Sequence, residues 1–318
     1  MSGDRLRVAA FGSPAFALPT LERLAREHEL LLVVSQSDKP AGRGMTRRSP
    51  PAADWARAHG VALAQPERLR ADEGFITQLR DLELDVAVTA AYGKILPSSL
   101  LAVPREGFLN VHASLLPRYR GAAPVQWALI EGERETGVSI MQTEAGLDTG
   151  PVRHVRRLRI EPDETADGLL ARLAALGAEA LSEALALLAR GALPSVPQDD
   201  TAATLAPRLT RADARIRWSD DAHAVYARHR GVTPWPGSWF ERVGHAGSDL
   251  VKVPALGLGA PDAAAAPGTV VRVDEAGIHV ATARGTVVMH TLQTPGRPRQ
   301  DAAAWARGAR IAVGERYA

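Results

Sequence analysis

A chain of 318 residues that is 46% hydrophobic and 23% charged has ample apolar material for a buried core and exceeds one typical domain, so two domains are expected. It contains no cysteine, which excludes disulfides, thiol nucleophiles and cysteine-ligated zinc. Its net charge of +2 is unevenly held: residues 210–318 carry 14 basic and 10 acidic side chains, against 24 and 26 in residues 1–209, so the C-terminal part is the better polyanion binder.

Met1 to Phe11 is a short strand-like run cut off by Gly12-Ser13-Pro14, too short for the apolar core of a signal peptide. No stretch approaches the roughly eighteen uninterrupted apolar residues of a membrane span, so the chain reads as soluble and cytoplasmic, with no membrane partner. Apolar runs at Leu6–Phe11, Leu30–Ser35, Val61–Ala64, Asp85–Ala90 and Gly107–Val111 alternate with helix-compatible stretches such as Leu18–Glu27 and Ala71–Arg80. That alternation predicts an α/β fold, a Rossmann-like open parallel sheet over residues 1 to about 150, with ligands at the carboxyl ends of its strands. Within it, the segment Asp38 to Pro51 is longer than most strand-to-helix connections and carries Lys39, Arg43, Arg47 and Arg48.

Leu169, Leu170, Leu173, Leu176, Leu181, Leu185 and Leu188 recur at helical spacing, with Thr165 as the cap before them and Arg190-Gly191 as the stop. Ala192 to Pro207 is rich in proline and polar residues and lacks periodicity, which reads as an interdomain linker. Gly268–Val273, Gly277–Ala281 and Thr286–Leu292 are short, rich in β-branched residues and separated by glycine turns, predicting a smaller antiparallel β-barrel of OB-like type. The expected organisation is a catalytic domain over residues 1–190, a linker over 191–209 and a basic β domain over 210–318. Trp218, Trp235, Trp239 and Trp305 read as packing residues rather than base-stacking ones.

The segment Phe108-Leu109-Asn110-Val111-His112-Ala113-Ser114 reads as a strand entering a loop, with Phe108, Asn110 and His112 on one face. Asn110 and His112 then lie about 7 Å apart along the strand, within reach of one small reacting group. Ser114-Leu115-Leu116-Pro117-Arg118-Tyr119-Arg120-Gly121 follows as a turn whose backbone groups can grip a flat polar heterocycle. In Gly146-Leu147-Asp148-Thr149-Gly150 a carboxylate stands between two glycines, where the backbone can bend sharply. Singly, the histidine has a structural reading and the aspartate a turn-forming one. An amide, an imidazole and a carboxylate converging on an α/β sheet point instead to a reactive site.

These motifs, in order, together with Gly137-Val138-Ser139-Ile140-Met141, Gly12-Ser13-Pro14-Ala15-Phe16, Asp38-Lys39-Pro40-Ala41-Gly42-Arg43-Gly44, Ala90-Ala91-Tyr92-Gly93 and Arg230 with Pro234-Trp235-Pro236, resemble the methionyl-tRNA formyltransferase family over nearly the whole chain. The resemblance implies that Asn110, His112 and Asp148 catalyse formyl transfer from 10-formyltetrahydrofolate to the amino group of initiator methionyl-tRNA. It implies further that Ser114, Leu115, Leu116 and Pro117 contact the folate, that Arg43 engages the acceptor end of the tRNA, that no metal takes part and that the protein acts as a monomer.

Three other readings are weighed. A folate-dependent formyltransferase acting on a nucleotide or nucleotide sugar would share the same three residues, but the basic β-rich C-terminal half favours tRNA. A nucleotide-binding oxidoreductase needs a glycine fingerprint after the first strand, yet Gly12-Ser13-Pro14-Ala15-Phe16 lacks the second glycine and inserts proline where amides should cradle phosphate. A non-catalytic RNA-binding protein would have no use for the polar triad.

Overall fold

The computed structural model describes residues 5–41, 46–70, 72–244 and 247–317. Two compact units emerge: residues 1–124, 135–159 and 170–207 form one, and residues 125–134, 160–169 and 208–318 the other. The elements run β1 (Arg7–Gly12), α1 (Leu18–Glu27), β2 (Glu29–Val34), β3 (Lys39–Ala41), β4 (Thr46–Arg48), α2 (Pro51–Ala58), β5 (Leu63–Ala64), α3 (Glu73–Asp81), β6 (Val86–Ala90), α4 (Ser98–Leu101), β7 (Phe108–His112), α5 (Pro124–Ile130), β8 (Glu135–Gln142), β9 (Val152–Arg159) and α6 (Ala166–Ala189). After them come α7 (Ala222–Val232), β10 (Trp239–Gly244), β11 (Gly247–Leu258), β12 (Val270–Asp274), β13 (Gly277–Ala281), β14 (Thr286–Gln293), β15 (Gln300–Asp301) and α8 (Ala302–Ala309).

The first unit is built on a seven-stranded sheet of order β5-β2-β1-β6-β7-β8-β9. The pairings up to β6–β7 are parallel, and β8 and β9 are added antiparallel. Central strands buried on both faces are mostly apolar, as Val86–Ala90 shows with Thr89 its one polar residue. One face of the sheet carries Phe11 against Phe108 and Tyr92, with ring centroids 5.1 and 5.4 Å apart. Behind β7 and β8, a Cβ on Gly177 of α6 would come within 2.7 Å of Val111 Cγ1, so the helix packs hard on the strand that bears Asn110 and His112. In the basic segment at 38–51, β3 and β4 pair antiparallel, with Lys39 opposite Arg48; Arg43 lies outside the described residues.

The segment read as a linker is bonded to the first unit along its length. Val196 bridges Val152, and Leu205 bridges Arg120. In the second unit a six-stranded antiparallel sheet, β10-β11-β14-β13-β12 with β15 on β14, curls as a half-barrel over an apolar core that includes Phe240, Val251, Ile278 and Met289. Trp218 and Trp305 are buried in that core, as expected. Trp239 donates from Nε1 to the Arg211 carbonyl at 2.8 Å, whereas Trp235 does not pack: it is 62% exposed. Among the described residues no helix is long and apolar enough to cross a membrane.

Candidate active site

The carboxyl ends of the parallel strands are laced together. Ser13, just after β1, accepts a hydrogen bond at Oγ from the Gln36 amide (3.1 Å) and donates to the Tyr92 carbonyl (3.4 Å), tying the ends of β1, β2 and β6. Gly12 permits the sharp exit from β1, since a Cβ there would meet Ala17 Cβ at 2.5 Å. At the next strand end, parallel register places Thr89 of β6 beside Asn110 of β7, and the Thr89 hydroxyl donates to Asn110 Oδ1 at 2.8 Å. That bond fixes the amide orientation, because the acceptor end is taken and Nδ2 is left as the donor.

His112, 5% exposed, is held by its ring. Its Nε2 lies 3.0 Å from the Tyr119 carbonyl, which can only accept, so Nε2 carries the proton and Nδ1 is left with its lone pair. Nδ1 faces Asp148 Oδ2 at 3.7 Å. That separation is too long for a direct hydrogen bond, so the carboxylate acts on the ring as a nearby charge. Oδ2 is itself fixed by the Gly121 amide, which donates at 2.8 Å.

Two residues owe these positions to left-handed backbone: Tyr119 (φ 62°) and Asp148 (φ 53°). Away from glycine, that conformation costs about 1–3 kcal/mol and persists only where surroundings impose it. The glycines flanking Asp148 serve close approach rather than positive φ. A Cβ on Gly150 would fall 2.0 Å from the Gln142 carbonyl oxygen, and one on Gly146 would fall 2.1 Å from Thr149 Oγ1.

The Ser114–Pro117 turn differs from the sequence reading of open backbone groups. Ser139 of β8 donates to the Ser114 carbonyl (2.8 Å) and accepts from the Leu116 amide (3.1 Å), while the Ser114 amide returns to the His112 carbonyl (2.9 Å). Gly137 makes room for the Leu115 side chain, since a Cβ there would lie 2.6 Å from Leu115 Cδ2. The motif Gly137–Met141 is thereby explained as the wall that shapes the turn. On its far side, the Tyr119 amide donates to Thr204 Oγ1 (2.8 Å), the Arg120 amide to the Thr204 carbonyl (2.8 Å) and the Ala206 amide to the Arg120 carbonyl (2.7 Å).

Of the residues singled out in the sequence, His112 and Asp148 are brought face to face, with Asn110 two residues before His112 on β7. The turn of Ser114–Pro117 adjoins them in the chain, and Arg43 lies outside the described residues. Sequence reasoning missed Thr89, the Tyr119 carbonyl and the Gly121 amide, the last two being backbone groups that no residue-type signal can reveal. Chemically, the arrangement offers one amide donor, one imidazole nitrogen with a free lone pair and one carboxylate beside it, a set suited to acyl transfer between amines.

The chain matches the family model "Formyl transferase" over residues 5–185 and "Formyl transferase, C-terminal domain" over residues 208–310. It is 47% identical to a methionyl-tRNA formyltransferase of Deinococcus radiodurans, covering 98% of this chain and 95% of that one. A methionyl-tRNA formyltransferase of Thermus thermophilus is also 47% identical, over 98% and 99% of the two chains. Among solved structures, the N-formyltransferase of Helicobacter canadensis in complex with folinic acid and dTDP-3-aminofucose superposes with a TM-score of 0.66 at 14% identity, over 91% of this chain and 99% of that one, a likeness of fold.

Proposed function

The chain belongs to the methionyl-tRNA formyltransferase family, and from that membership we infer that it transfers the formyl group of 10-formyltetrahydrofolate to the α-amino group of methionyl-tRNA, with the initiator tRNA as the preferred acceptor. The observation that carries the acceptor assignment is 47% identity sustained over 98% of the chain, through both halves. A sugar-directed formyltransferase shares the fold at 14% identity, whereas the 47% identity to a methionyl-tRNA formyltransferase runs through both halves of this chain.

Within that reading Asn110, His112 and Asp148 are the catalytic residues. The substrate amine is the nucleophile, and holding it beside the donor replaces a bimolecular encounter with an oriented one. Asn110 Nδ2, freed by Thr89, donates to the formyl oxygen as negative charge builds there on attack. His112 Nδ1 takes the proton released by the amine as the new C–N bond forms. Asp148 stabilises the imidazolium so created, and the proton passes to N10 of the donor as the old C–N bond breaks. The Ser114–Pro117 turn lines the folate side of the site, with Leu147, 65% exposed and next to Asp148, adding apolar surface for a flat ring.

Residues 1–190 carry the chemistry, residues 191–209 join the two parts, and residues 210–318 hold the tRNA body by its phosphates, as their surplus of basic side chains favours. Arg43 reaches the acceptor end, where a guanidinium pairs with phosphate or base edges. The protein acts as a soluble cytoplasmic monomer. The deciding experiment offers the protein 10-formyltetrahydrofolate with initiator methionyl-tRNA, elongator methionyl-tRNA and an amino-sugar nucleotide in parallel. Selective transfer to the initiator is expected; transfer to the sugar alone would keep the fold and overturn the acceptor.

A further inference from the structure

The loop that carries Asp148 is mostly exposed between Glu144 and Thr149, and Asp148, though half-buried, is in left-handed backbone, so local conformational preference does not hold it in place. The loop backbone around it is held by the segment between the two family matches. Gln198 donates from Nε2 to the Asp148 carbonyl at 2.8 Å and to the Gly150 carbonyl at 2.7 Å, bracketing the carboxylate-bearing residue.

Gln198 is in turn locked by Arg120, whose side chain is 8% exposed. Arg120 donates from Nε (3.0 Å) and Nη2 (2.9 Å) to Gln198 Oε1, and from Nη2 to Asp200 Oδ1 at 2.7 Å. A guanidinium offers donors only and the two loop carbonyls accept only, so one orientation of the Gln198 amide satisfies every partner. The residue after Arg120, Gly121, is the one whose amide grips Asp148 Oδ2. The buried arginine thus orients the backbone clamp through Gln198, and the next residue in the chain supplies the carboxylate anchor.

We propose that Gln198, oriented by Arg120, is a positioning residue that holds the Asp148 carboxylate against His112 and so sets the rate of formyl transfer. The proposal rests on the catalytic reading of Asp148, and its test separates the two. Gln198→Glu keeps the side-chain length and the acceptor for Arg120 but turns the donating group into an oxygen facing two carbonyls; Gln198→Met removes the donor without adding charge. In steady-state formylation by the full-length protein, kcat should fall between about ten- and a hundredfold in both variants, as expected when a reacting group is displaced by about an ångström. The KM for the formyl donor should change by less than kcat does, because the Ser114–Pro117 turn is held by Ser139 and not by Gln198. Added to Asp148→Asn, Gln198→Glu should lower kcat by less than about a further twofold, since the glutamine acts only through the aspartate. Wild-type kcat in the Gln198 variants, or the full Gln198 effect persisting on top of Asp148→Asn, would overturn the proposal while leaving the catalytic reading in place. Undiminished turnover by Asp148→Asn alone would remove the aspartate from the reaction and take the proposal with it.

Discussion

Asn110 has its donor end aimed by a single hydroxyl, and the consequence is a graded pair of effects. Asn110→Ala removes the donor to the developing oxyanion and should lower kcat by about a hundredfold or more, with the donor KM little changed. Thr89→Val keeps the volume but frees Asn110 Oδ1, 2.8 Å from the lost hydroxyl, so the amide can present its acceptor to the formyl oxygen. About a tenfold loss is expected in that variant; full activity in Thr89→Val would show that the hydroxyl does not set the orientation. A second residue-scale effect lies in the second unit. Burial, with the charges of Arg230 and His290 adding to it, pushes His229 down to about 4. The unfolded chain, with its histidine near 6.5, then binds the proton first as the pH falls, so this contribution is intact above about pH 6.5 and is lost progressively down to about pH 4. The loss amounts to about 3 kcal/mol in all, at up to about 1.4 kcal/mol per pH unit. Denaturant melts between pH 7 and 4 should show that acid slope in the wild type and a shallower one in His229→Gln.

At the scale of elements, the strand bearing Asn110 and His112 is supported from behind by one close contact. Gly177→Ala would set a methyl 2.7 Å from Val111 Cγ1, and Val111 is β-branched and stands between Asn110 and His112. A stability loss of about 1–3 kcal/mol is expected together with a lower kcat, and unchanged thermal melting in the variant would show that the helix shifts freely. Such elements were legible where period and burial agree: β1, β2, β6 and β7 read directly from apolar runs, α1 as a helix-compatible stretch, and α6 from leucine spacing with a clear stop. Other elements were not. β9 reads Val-Arg-His-Val-Arg-Arg-Leu-Arg, with arginines where a half-buried strand would show alternation, and it is stabilised by ion pairs such as Arg157 to Glu135 across the sheet at 2.6 Å. α2 begins on Pro51, at the end of the segment read as a basic loop, and β10 and β11 went unread although Gly244 and Gly247 stand at their junction. The triad was legible as residue types at motif positions. Its scaffolding was not, because Tyr119 and Gly121 act through backbone and Gln198 sits among prolines, in a stretch where sequence pattern carries no period.

Across the whole molecule, the question is which part meets the polyanion, and truncation is a poor way to ask it. The second unit takes in residues 125–134 and 160–169 as well as 208–318, and Gly231 of α7 packs so near Ile130 of α5 that a Cβ would come within 2.6 Å of its Cγ1. Cutting the chain at 209 would strip those contacts and confuse unfolding with lost binding. Charge removal is cleaner. Two neighbouring hollows of the half-barrel share Thr294; one of about 260 Å³ is lined by Arg211 and Lys252, the other of about 620 Å³ by Arg297. Each of the three cations is exposed and forms no ion pair among the described residues, so each is free to meet a phosphate. A salt titration reports how many do, because every phosphate contact contributes about 0.9 to the slope of log affinity against log salt on a duplex. The combined Arg211→Gln, Lys252→Gln, Arg297→Gln variant should therefore bind tRNA more weakly at moderate salt, with a slope smaller by up to about 2.7 and an unchanged KM for the formyl donor. If the slope holds while affinity falls, the cations act through something other than phosphate; if neither moves, the tRNA body lies on another face of the second unit.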